Sequence, residues 1–248
     1  MLSNAGLCIL ALLILYPLGT LVGGFFHSRA VSVMRSGVAG EGAAEDATLS
    51  LRRYEDAIAS MERATAVEPY KPDHRAAMAE LLLRLGKWMQ ALESMDAQLP
   101  AGAPRSADTF EKAEAALQKA VSLEPTNPDL HLSLAVLHDA VNPLSGRAEK
   151  ELDRAINAYP VNASLRYAVA LQHLMNGRPG QALEQATVLA RLAGGTGAAV
   201  NRSYLFSALE IAWRATKDMR VVQGICPDEP KALKVLDEYM RWKGAAKE

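Results

Sequence analysis

Apolar and polar positions along this chain follow a helical spacing that is stopped at intervals by proline. In "LQKAVSLEPTNPDLHLSLAVLH" (Leu117 to His138) an apolar run ends at Glu124-Pro125, crosses Thr126-Asn127 and restarts after Pro128. Two similar runs stop the same way. "YEDAIASMERATAVEP" ends at Pro69 and "GRAEKELDRAINAYP" at Pro160. Aligned on their prolines, the runs share small and large positions. Tyr54 and Phe110 lead, followed by Ala57 and Ala113, then Met61 and Leu117, then Ala64 and Ala120; the third run keeps Ala148, Leu152 and Ala155. Apolar side chains three and four residues apart share one helix face, so each run predicts a helix with one buried stripe. Proline cannot continue a helix interior and is pre-set for a first turn. Pro125 thus closes one helix and Pro128 opens the next.

A second kind of segment lies between these runs. "DHRAAMAELLLRLGKWMQALESM" and "ASLRYAVALQHLMNGRPGQALEQA" each read as a helix, a break at Gly86 or Gly177, and a second helix. Glycine can take the left-handed geometry that ends helices. A small alanine follows each break, at Ala91 and Ala182, with Met95 as a large neighbour in the first. The alanines at 57, 91, 113, 148 and 182 are spaced by 34, 22, 35 and 34 residues. A small residue at each would let two helices approach closely. The short step predicts that one helix is missing, with "PAGAPRSAD" (Pro100 to Asp108) as a loop in its place. "NPLSG" (Asn142 to Gly146) predicts a longer turn.

A period near 34, with a glycine turn inside each unit and a proline turn between units, resembles the tetratricopeptide repeat family. The residues that carry the resemblance are Gly86, Trp88, Ala91 and Met95 in one unit, Gly177, Ala182 and Ala186 in another, and the alanine–proline series of the three runs. The resemblance implies an all-α fold, a right-handed solenoid of helix pairs over residues 51–193. Residues 29–50 read as a linker or ragged first helix, and residues 198–248 as a helical cap. Within that cap "NRSYLFSALEIAWRATKD" predicts a helix with Leu205, Leu209 and Ile211 inward, and two further helices follow. End units of such stacks are atypical because their outer face meets water. This tail is similar to one that follows repeats in some bacterial envelope polysaccharide proteins.

Residues 1–28 form a separate object. No charged residue occurs from Met1 to Phe26. That run is long enough to cross a hydrocarbon core of ~30 Å. It reads as a retained single-pass anchor of a bacterial inner membrane; the alternative is a cleaved signal peptide, against which stand the absent positive start and the length of the apolar run. Arg29 and Arg35 follow it. Positive charge near a span stays in the cytoplasm, which places the repeats there rather than in the periplasm. Gly19 and Gly23 share one face and would admit a second copy, although glycine is common in membrane helices generally.

Composition narrows the chemistry. The net charge is −1 over 248 residues, without the basic excess of a nucleic-acid binder. Cys8 and Cys226 are the only cysteines, so no disulfide framework, Cys-x-x-Cys pair or haem attachment exists. That absence separates the chain from a membrane-anchored tetratricopeptide protein of lipopolysaccharide assembly that ends in a paired-cysteine metal module. His131 and His138 are seven apart rather than the four of a helical metal pair, and both fall on packing positions. "GGTG" (Gly194 to Gly197) lacks the Lys-Ser/Thr ending of a phosphate loop and reads as a joint. No catalytic, cofactor or metal constellation is predicted.

The resemblance also implies a place for partners. The first helix of each pair would line a concave groove. Asp73, Ala76, Glu80, Leu83 and Arg84 belong to the first such helix; Asp129, Leu132, Val136 and Asp139 to the second; Tyr167, Leu171, Leu174 and Met175 to the third. Family members that grip a peptide's terminal carboxylate use Lys and Asn there, and those residues are missing. The expected function is a non-enzymatic, membrane-tethered scaffold that holds a protein or peptide partner, in assembly of an envelope polysaccharide or secretion complex. The alternative is a permanent structural subunit of a larger membrane complex.

Overall fold

The computed structural model describes residues 28, 44–95, 102–194 and 200–245. Among these the chain forms helices and no strands. No described helix is long and apolar enough to cross a membrane. The segment read as an anchor, with Gly19 and Gly23, lies outside the described residues. The chain divides into two compact units, Met1–Asn142 and Pro143–Glu248.

The first unit holds α1 (Ala44–Val67), α2 (Pro72–Ser94), α3 (Ser106–Leu123) and α4 (Pro128–Val141). Helix α1 starts within the stretch read as a linker. Each helix packs on the next, and α2 also meets α4. One cluster, with Tyr54, Ala57 and Met61 from α1 and Leu81, Leu85 and Met89 from α2, joins the first pair. A second, with Ala79 and Leu82, Phe110, Ala113 and Leu117, and Leu134 and Leu137, ties α2, α3 and α4 together. The alanine positions do what their size suggests: Ala57, Ala64, Ala113 and Ala120 are buried, with Met61 and Leu117 filling the space beside them.

The second unit holds α5 (Arg147–Ala158), α6 (Ala163–Met175), α7 (Pro179–Gly194), α8 (Arg202–Thr216), α9 (Met219–Ile225) and α10 (Pro230–Ala245). Ala148, Leu152 and Ala155 are buried on α5, as are Ala182 and Ala186 on α7. Leu205, Leu209 and Ile211 point inward, as their spacing predicts, and Val222, Ala232 and Tyr239 close the core behind them. Gly177, at φ 68°, makes the predicted turn between α6 and α7. Gly146 takes φ 67° in the turn that starts α5.

The proline turns share a tie that the hydrophobic pattern does not reveal. The side chain six residues past each closing proline reaches back to that proline's carbonyl oxygen. Arg75 Nη2 donates to Pro69 at 3.5 Å, His131 Nε2 to Pro125 at 2.9 Å, and Arg166 Nε to Pro160 at 3.0 Å. Each bond satisfies a carbonyl left over after a helix end. His131 is therefore a buried packing residue with a fixed hydrogen bond.

The structure corrects the reading of the second helical segment. There is no break at Gly86: α2 runs unbroken from Pro72 to Ser94. Gly86 is buried because α3 approaches there, and a Cβ on it would stand 2.6 Å from Phe110 Cε1. Consequently Ala91 is exposed rather than packed, and Met95 is 67% exposed. The short step of 22 residues is not a lost helix. Helix α2 pairs directly with α3, and the markers that remain buried are Ala57, Ala113, Ala148 and Ala182. Helix α3 begins at Ser106, inside the stretch expected to be loop. Its start is capped from α2: the Ser106 backbone N–H donates to Glu93 Oε1 at 3.0 Å and its hydroxyl to Glu93 Oε2 at 2.5 Å.

Candidate interaction surfaces

The residues expected to meet a partner fall on α2, α4 and α6. In the first unit α2 and α4 pack against each other. On α2, Asp73, Glu80 and Arg84 are exposed, and Arg84 Nη2 donates to Glu80 Oε1 at 2.6 Å. Asp73 sits in the first turn, where the helix dipole favours an acid. Leu83 is half-buried and leans on the cluster that holds Leu134 and Leu137. On α4, Asp129 is exposed and its N–H donates to the capping side chain of Asn127 at 3.0 Å. Leu132 and Val136 are half-buried, and Asp139 is buried at 5% exposure. Spacings of three and four place these residues on one stripe of each helix. The structure therefore brings the α2 and α4 sets onto adjacent helices of one unit.

The α6 set belongs to the second unit. Tyr167 is half-buried against both apolar clusters there, and Leu174 leans on Ala170, Ala182 and Ile211. Leu171 is half-buried and Met175 is exposed. Tyr167 and Leu174 thus spend much of their surface on the fold itself.

Sequence reasoning missed a concavity elsewhere in the first unit. A groove of 590 Å³ opens between α1 and α3 over α2. Ile58, Met78, Leu82 and Leu85 supply its apolar floor, Ala59, Ala115 and Ala116 its shallow places, and Glu55, Glu62, Arg75 and Lys112 its charge. At about 100° per residue, Met78, Leu82 and Leu85 lie on the side of α2 roughly opposite Asp73, Glu80 and Arg84. The available signal was the pair Glu55 and Glu62, seven apart on an otherwise apolar-facing helix. Nothing in the sequence told that α3 would stand on the far side of α2.

Electrostatics near these surfaces follows from burial and pairing. Burial pushes the Tyr54 phenol up, against the opposing pull of the Arg84 charge; the Tyr54 ring stacks on Trp88 at 6.3 Å. The Ser106 hydroxyl and backbone N–H hold the Glu93 carboxyl below its ordinary value. In the second unit, burial raises Glu210, but hydrogen bonds from Lys243, Arg214 and Tyr239 outweigh it and hold the carboxyl low. Burial, with the same Glu210 hydrogen bond, pushes the Tyr239 phenol strongly up. Among the described residues no group of three His, Cys, Asp or Glu is arranged to hold a metal ion. Burial raises the Cys226 thiol above its ordinary value.

The fold and surfaces can be set beside known proteins. Three solved structures are similar in their helical layout: a crystal structure of MamA (16% identity, 90% of this chain and 94% of that one, TM-score 0.46), a second of MamA (18%, 84% and 100%, 0.43), and YrrB, described as a TPR protein with an unusual peptide-binding site (17%, 77% and 88%, 0.39). No curated protein sequence matches the chain. A tetratricopeptide repeat family model matches residues 46–106, spanning α1, α2 and the start of α3.

Proposed function

We propose that the chain is a membrane-tethered, non-catalytic scaffold that holds a protein or peptide partner against the α2–α4 face. The observation that carries this reading is the repeat sequence of residues 46–106 joined to a helix pair whose charged stripe, Asp73, Glu80 and Arg84, stands exposed. Tetratricopeptide proteins generally act as interaction scaffolds rather than enzymes. A partner in extended or helical form laid on this stripe would meet charge from α2 and apolar surface from Leu132 and Val136. The uncharged run Met1 to Phe26 supports the tether, which would raise the local concentration of a membrane-bound partner. We place the repeats in the cytoplasm of a bacterium, on Arg29 and Arg35, serving assembly of an envelope polysaccharide or secretion complex.

The test is a photo-crosslinker at Asp129 in native membranes. A discrete crosslinked partner is expected, and it should be lost in the double variant Arg84→Glu with Leu132→Ala. Capture unaffected by that variant moves the site elsewhere. Removing residues 1–28 should release a folded helical protein; an unfolded product sinks the two-part reading.

A second reading, a permanent subunit of a larger complex, is favoured by exposed apolar side chains in the second unit. Val161 is 68% and Met175 74% exposed. Such a subunit would aggregate when produced alone, whereas a transient scaffold would be monodisperse.

A further inference from the structure

The groove between α1 and α3 lies away from the α2–α4 face and is built for a different contact. Its α1 wall is acidic: Glu55 and Glu62 are exposed and make no ion pair or hydrogen bond among the described residues. They are seven residues apart, about 10.5 Å or two turns along the helix. Its opposite side is basic. Among the described residues Lys112 on α3 is exposed and unpaired, and Arg75 on α2, whose Nη2 donates to Pro69, keeps a buried Nε with no hydrogen-bond partner. Charges left unpaired around an apolar floor are complementary to an amphipathic surface with a basic edge and an acidic edge. The alanines Ala59 and Ala115 keep both walls low, which allows a helix axis to come close.

We propose that this groove docks a short amphipathic helix of a partner protein, seated with basic residues two turns apart against Glu55 and Glu62. Its apolar stripe covers Ile58, Met78 and Leu82, and an acidic residue on its other edge meets Lys112 and the Arg75 guanidinium. The chain then has a second contact surface, on the side of α2 facing away from the first. This rests on the scaffold reading only in assuming protein partners, and it uses none of the residues proposed there.

The test uses the detergent-solubilised full chain and two fluorescent peptides of about 14 residues, enough for four turns. Both carry a leucine stripe; one has lysines seven apart on one edge, the other glutamates at the same places. The lysine peptide should bind about tenfold more tightly than the glutamate peptide, the scale expected from two partly screened pairs, and the difference should shrink at high salt. Glu55→Lys with Glu62→Lys should invert the order, with unchanged circular dichroism because both side chains are exposed. Equal binding of the two peptides, or no inversion, overturns the groove proposal whatever the Asp129 crosslink captures. A clean inversion together with capture that survives Arg84→Glu and Leu132→Ala sinks the α2–α4 reading alone.

Discussion

Gly86 and Phe110 occupy one space: the edge of the Phe110 ring stands where a side chain on Gly86 would begin, 2.6 Å from an ideal Cβ. This contact lets α3 lie against the middle of α2, and both residues are buried. Gly86→Ala should therefore destabilise the first unit by about 1–3 kcal/mol, the range for overpacked cores, despite alanine's better helix propensity. Adding Phe110→Leu should recover part of the loss. A double-mutant cycle in urea checks it, and additive effects would show that the two sites do not share this space.

The corrected register is open to direct measurement. Ala113 and Ala91 both follow the repeat pattern, yet Ala113 is fully buried and Ala91 is exposed. Ala113→Leu should cost at least about 1–3 kcal/mol through overpacking, while Ala91→Glu should stay within about 0.5 kcal/mol of the parent. Comparable losses at both positions would restore a packed role for Ala91 and a break near Gly86.

Two glycines at the start of α7 separate conformation from space. A Cβ at either Gly177 or Gly180 would meet nothing within 4 Å, but Gly177 sits at φ 68° while Gly180 lies in the helix. Gly177→Ala should lower stability by about 1–2 kcal/mol, the penalty for a left-handed L-residue. Gly180→Ala should be neutral or raise stability by up to about 1 kcal/mol. Thermal unfolding of the two single variants decides it.

Acid should weaken both units through carboxylates held low in the fold. Glu93 is lowered by the Ser106 hydroxyl and N–H. Glu210 is pushed up by burial but lowered overall by Lys243, Arg214 and Tyr239. A group whose folded value lies below its unfolded one stabilises the protein above the unfolded value, about 4.3 for glutamate. That contribution is lost as pH falls below it, through the folded value. Stability should thus be flat from neutral pH to about 5 and then decline. Glu93→Gln and Glu210→Gln should each reduce the steepness of that decline. An unchanged slope in both variants would show that these carboxyls are not held low.

Tyr239 gives a further check on the second unit. Its hydroxyl donates to Glu210 Oε2 at 2.9 Å from a fully buried ring. Tyr239→Phe should cost about 1–2 kcal/mol, more than a neutral bond because the acceptor is charged, and should leave the α8–α10 contact intact. Spectroscopically, the phenol should resist ionisation beyond the pH at which exposed tyrosines titrate.

The helical class, the proline stops and most of the packed alanines were legible in the sequence because they depend on local spacing. A stripe at three and four residues is buried wherever a neighbour exists, so Ala57, Ala113, Ala148 and Ala182 were identified without knowing that neighbour. The exposure of Asp73, Glu80 and Arg84 on α2 was legible in the same way. The groove between α1 and α3 was not, because its walls come from helices that do not follow one another in the chain, α1 ending at Val67 and α3 beginning only at Ser106. The back-bonds from Arg75, His131 and Arg166 were also hidden, since two different residue types fill one role.

Glycine marks the limit most clearly. Lacking a Cβ, it serves equally where the backbone must turn left-handed and where another element must come close. The sequence by itself determined that Gly86 and Gly177 were special, and that helical residues lie on either side of each. Only the tertiary structure decided that Gly177 is a turn, at φ 68°, and Gly86 a contact, because the deciding atom at Gly86 belongs to Phe110, twenty-four residues further along.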